Sequence, residues 1–288
     1  MRLRTLLLSA ALCLAPCASA LAHDFWIEPA SHRPAAGSIL RARLFIGHAS
    51  AKEAYARNPE HIAEFVLADG EGRREVVGRA GEDPAGLVRI EREGTFALGY
   101  RSNPTVLEMP AEKFEAYLRD KGLERALQER RERGESAEPG RESFFRCAKA
   151  LLRTPGAQPG PPDVVLGYPL ELVLLSDPYA RPLDAEGRAA PLALRLLDHG
   201  QPLPGALLTF ERLDLAPEAT PAAPTPAFTD ARGEVALPLP PEGRWVLSAV
   251  QMVRSAPGEP EPWHSTWASL SFETAAAPAA AQAAEAGR

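Results

Sequence analysis

The sequence predicts a mainly β protein: two β-sandwich domains, Ig-like or transthyretin-like, with a helical insert between them. Three observations carry that expectation. Short stretches alternating apolar and polar residues fill the first and last parts of the chain. Gly and Pro punctuate these stretches at turn-like intervals. One internal stretch changes to helical spacing and dense charge.

The first 22 residues read as a cleavable signal peptide. Arg2 and Arg4 form a positive start, and Leu6 to Leu14 is apolar but too short to span a bilayer. Ala20-Leu21-Ala22 is the small-x-small pattern that signal peptidase cuts. Pro16 interrupts any longer anchor and stands where a lipoprotein peptidase, cutting before Cys17, wants a small residue. The expected mature chain begins at His23 in the periplasm. It keeps 30 of the 32 basic residues and all 38 acidic ones, a balance of −8. A mildly acidic surface argues against nucleic acid and anionic membranes as partners, and no later stretch is apolar enough to span a membrane.

Residues 23–108 are expected to form the N-terminal sandwich. Leu40–Ile46, Glu64–Leu67 and Gly94–Tyr100 alternate with period two, and Gly37, Gly70, Gly81 and Gly94 separate them. Residues 109–162 are expected to be the helical insert and a Pro/Gly linker. Pro110 suits a first helical turn. Phe114, Tyr117 and Leu118 recur at helical spacing, followed by Leu123 and Leu127. Residues 124–135 carry Glu and Arg three or four apart, the pattern of a solvated helix face. Phe144, Phe145, Ala148, Leu151 and Leu152 predict a second amphipathic helix, ending near Pro155. Cys147 lies in that run as a buried small hydrophobe. Once Cys13 and Cys17 leave with the signal it is alone, so no intramolecular disulfide forms.

Residues 163–274 are expected to be the C-terminal Ig-like sandwich, with strands at 192–197, 207–210, 235–237, 243–250 and 268–272. Residues 275–288 are nearly all Ala and are expected to be a disordered tail.

Chemistry concentrates at the new terminus. A neutral imidazole is the commonest metal ligand. On His23, a freed α-amine and Nδ1 could chelate one ion, a nitrogen-rich arrangement suited to Cu(II), Ni(II) and also zinc. Asp24 could add a carboxylate or orient the ring, and Phe25 and Trp26 would pin the strand. His48, after Gly47 at a strand end, is the expected second ligand. His264, in Pro262–Trp267, is a further candidate. His32, His61 and His199 sit among turn-like polar residues and are expected to be solvated. No nucleophile elbow, phosphate loop, H-E-x-x-H, paired C-x-x-C or dinucleotide fingerprint occurs, so no catalytic residue is assigned and the chain is not expected to be an enzyme.

Several stretches together resemble a known family. They are His23–Pro29, Gly47-His48, Lys113–Leu118 with Gly122-Leu123, Arg141-Glu142 with Lys149–Leu152, Gly167–Glu171, Thr229–Gly233 and Trp267–Phe272. In this order they resemble the bacterial periplasmic family known as domain of unknown function 4198, over nearly the whole mature chain. Members are often labelled periplasmic components of cobalt or nickel uptake. That resemblance implies a metal-binding role at His23, Asp24 and His48, while His264 is proposed from the residues alone. The expected function is a periplasmic binding protein for a divalent transition metal, nickel or cobalt before copper or zinc. It would deliver or buffer the ion for an inner-membrane transporter or outer-membrane receptor. The alternatives are a non-catalytic envelope module for a protein or glycan, and a copper enzyme built on a histidine brace.

Overall fold

The structure, a computed structural model, describes residues 23–158, 160–214 and 225–275. The expected signal peptide and nearly all of the Ala-rich tail lie outside them. Eight strands come first: β1 (Asp24–Pro29), β2 (Ile39–Gly47), β3 (Glu53–Ala54), β4 (Ile62–Ala68), β5 (Arg73–Glu75), β6 (Gly86–Arg89), β7 (Thr95–Ser102) and β8 (Thr105–Met109). Two helices follow, α1 (Ala111–Asp120) and α2 (Glu124–Glu132). The remaining strands are β9 (Gly140–Arg153), β10 (Leu170–Leu174), β11 (Leu192–Asp198), β12 (Gln201–Pro202), β13 (Leu207–Arg212), β14 (Thr225–Phe228), β15 (Glu234–Leu237), β16 (Gly243–Arg254) and β17 (Trp263–Thr274). The protein is mainly β, as its alternation predicts.

A nine-stranded sheet, ordered β14-β13-β16-β17-β9-β7-β4-β5 with β8 also on β9, runs through both halves of the chain. Its neighbours are antiparallel except β17 and β9, the pair that joins the halves. A four-stranded sheet of β1, β2, β3 and β6 and another of β10, β11, β12 and β15 cover it. Successive side chains of a strand point to opposite faces, and β9 shows where each cover lies. Ala148, Ala150 and Leu152 enter the first core with Phe25, Ile27 and Leu44, whereas Leu151 enters the second with Leu172, Leu194 and Leu270. The two small sheets therefore pack on opposite faces of a shared sheet.

This corrects the second helix expected at 144–152, which is the long strand β9. β9 lies centrally and is buried on both faces, so its apolar run does not alternate, and periodicity cannot separate such a strand from a buried helix. Cys147 is buried, as expected, but on a strand; burial pushes its thiol up to about 12. His32 is a second correction: it is buried, and its Nδ1 donates to the Leu151 carbonyl at 2.8 Å. Desolvation lowers its imidazole to about 4, so the ring packs neutral.

The helices close the end of the central sheet. Phe114, Tyr117, Leu118 and Leu127 pack with Leu107, Trp263 and Trp267. Phe114 sits directly on Gly140, where a Cβ would come within 2.0 Å of the ring, so only Gly admits α1 at this depth.

Candidate metal centre

Strand register builds the centre. β1 pairs with β2 from Asp24 opposite Gly47 to Pro29 opposite Ala42. One further step places His23 beside His48, and their ring centroids are 5.8 Å apart. The pair sits on a firm base: Phe25, Trp26 and Ile27 are buried, and Trp26 stacks on Phe45. Gly47 has φ +120°, and a Cβ there would meet the Ala51 carbonyl oxygen at 2.7 Å. That tight turn aims His48 back over the end of β1.

A fourth group arrives from the other half of the chain. Glu211, on β13, accepts the Ala49 backbone N–H at 3.0 Å and lies 3.3 Å from His48 Nδ1. A carboxylate on Nδ1–H fixes the tautomer and leaves Nε2 as the free donor. Asp24 is buried, and Lys121 Nζ donates to its Oδ1 at 2.7 Å. Lys121 also lies over the Trp267 ring, 5.0 Å from its centroid. Asp24, His48 and Glu211 each offer one ligand atom, and all three atoms lie within 4.8 Å of one another.

The chemistry of these donors fits a borderline divalent ion. Burial, and then the neighbouring His48, hold the His23 imidazole below its ordinary value, which favours the neutral ring that a metal needs. Imidazole nitrogen with carboxylate oxygen suits nickel, copper and zinc and is a poor match to calcium, which takes oxygen alone. Without an ion, the Lys121 ammonium supplies the positive charge beside Asp24.

His23, Asp24 and His48 form one wall of a cavity of about 540 Å³, to which Met109, Ala116, Tyr117, Leu207 and Pro226 contribute apolar surface. Of the predicted site residues, His23, Asp24 and His48 come together here. His264 does not: its Nε2 meets Glu259, and it is not among the residues lining the cavity. His61, paired with the Tyr55 hydroxyl, and His199, paired with Asp198, are also elsewhere. Glu211 escaped the sequence reading. It stands 163 positions from His48 in an ordinary strand, and only the shared sheet brings it near.

The family model described as "Domain of unknown function (DUF4198)" matches residues 20–253. The chain belongs to that family. No curated protein matches it.

Proposed function

We propose that this DUF4198 protein binds a divalent transition metal in the periplasm, nickel or cobalt before copper or zinc, and delivers or buffers the ion for uptake. One observation carries the reading: the donor atoms of His48, Asp24 and Glu211 lie within 4.8 Å of one another, and the His23 ring stands 5.8 Å from the His48 ring. Two nitrogens each about 2 Å from one ion can share it at such a separation after small ring rotations. Cleavage after Ala22 would add the His23 α-amine to the same cluster, giving an amine–imidazole chelate on one residue.

The ion is cargo, and the residues divide the work of holding it. His23 and His48 supply nitrogen. Asp24 supplies the charge that attracts a cation, at present balanced by Lys121. Glu211 orients His48 and stands within ligand reach.

Isothermal titration of protein beginning at His23 tests the reading. Nickel or cobalt is expected to bind with one ion per chain and a Kd well below about 100 µM, or more than roughly 5.5 kcal/mol of affinity. His48→Ala should weaken that binding by at least about tenfold. Failure of nickel, cobalt, copper and zinc to bind would end the proposal.

A further inference from the structure

The cavity beside the histidines is far larger than an ion requires. A bare divalent ion with a bound water needs space on the order of one or two water volumes, roughly 30 Å³ each. The cavity holds about 540 Å³, within the size range of sites for small organic ligands. Its surface is also a poor match to a hydrated ion, because apolar atoms, including the stems of its charged side chains, supply most of it.

Helix α1 forms the wall with the remaining charge. Lys113, Ala116, Tyr117, Asp120 and Lys121 all line the cavity. Their spacing of three, four, seven and eight places them along one face of the helix end. Lys113 and Asp120 have no ion-pair partner among the described residues. A free ammonium and a free carboxylate therefore border an apolar space, with metal donors on the β1–β2 side.

We infer that the cargo is not the naked ion but a complex of it with a small carboxylate-bearing organic chelator. This rests on the metal-binding reading of the same cluster. The protein offers four side-chain donors, five with a freed His23 amine, and a metal taking six ligands has a position left for a second molecule. The chelator body fills the apolar space, and its carboxylate meets Lys113. An ion on Asp24 also displaces Lys121 from its 2.7 Å contact, which frees a second ammonium for the chelator. Lys121 thus serves as a placeholder for the metal and then as a clamp for its organic partner.

Native mass spectrometry of protein beginning at His23 tests this, using nickel chloride alone, nickel with L-histidine, and nickel with citrate. The two chelator arms separate an amino-carboxylate, whose amine could meet Asp120, from a polycarboxylate. The expected result is one nickel and chelator held together on the chain in at least one arm. Ala116→Trp, which fills the cavity from helix α1 and removes no donor, should reduce that ternary species by at least about tenfold while leaving uptake of bare nickel unchanged. Nickel bound without chelator in both arms would overturn the inference and leave the metal-binding reading intact. So would a ternary species that Ala116→Trp leaves undiminished. Absence of nickel in all three arms would overturn both.

Discussion

At the scale of single residues, two charged groups make opposite predictions. Lys121 and Asp24 are a largely buried pair, so Lys121→Met should lower the stability of the metal-free protein by about 3 kcal/mol, leaving the carboxylate uncompensated. The same change removes the cation that competes with an ion, so nickel should bind about tenfold more tightly. Thermal unfolding and titration of one variant check both; unchanged or weaker nickel binding would mean that Asp24 is no part of the site. Glu142 behaves differently. It is fully buried, and desolvation raises its carboxyl to about 7, against hydrogen bonds from Ser265 and Tyr117 and the nearby Arg146. A folded-state value above the ordinary 4.5 means that the native state binds the proton more tightly, so stability falls as pH rises from there to about 7. Glu142→Gln should flatten that fall and stabilise the protein at pH 8 by up to about 3 kcal/mol. Denaturant unfolding at pH 5 and pH 8 measures it, and a variant with the native pH slope would refute the assignment. These residues differ in legibility. His23, Asp24 and His48 could be singled out because each adjoins a recognisable boundary, an expected cleavage site or a Gly turn. Glu142 and Glu211 are ordinary strand carboxylates whose roles arise from pairing with distant elements.

At the scale of elements, β9 decides the architecture, and it was the element least legible in advance. Its apolar residues satisfied a helical template because both faces of the strand are covered, one by each small sheet. The half-buried strands β2 and β11 were legible for the opposite reason: one covered face leaves a clean alternation. Helix α1 was legible too, since its outer face is solvated. β9 also carries a buried charge. Lys149 Nζ lies 2.9 Å from both Asp163 and Glu171, and Glu171 accepts backbone N–H groups from Leu166, Gly167 and Tyr168. This arrangement ties the segment leading into β10 to the middle of the central sheet. Lys149→Met would leave two buried carboxylates facing each other without a cation. A loss of about 3–5 kcal/mol is expected in denaturant unfolding. A loss under about 1 kcal/mol would show that water reaches the pair and that the tie is not structural.

At the scale of the molecule, two sandwiches were legible but their union was not. Composition and alternation reveal separate sets of strands, whereas the parallel β17–β9 pairing that merges them depends on contacts more than a hundred residues apart. The merger matters for the proposed function because the cluster takes Asp24 and His48, with His23 beside His48, from the first part and Glu211 from the last. A ligand held by both parts binds the folded chain and has no counterpart in the unfolded one. At nickel concentrations about 100 times Kd, such an ion should add about 2.7 kcal/mol of stability. For a chain of this length that corresponds to a rise in Tm of roughly 5–10 °C. Two forms should be heated side by side, one beginning at His23 and one retaining Ala22 as a blocked extension. If the amine chelates, the extended form should lose most of the nickel-dependent rise while keeping the same Tm without metal. An equal rise in both forms would assign the binding to the side chains alone. No rise in either, at saturating nickel, would show that the folded chain does not bind nickel in preference to the unfolded one and would refute the proposed site.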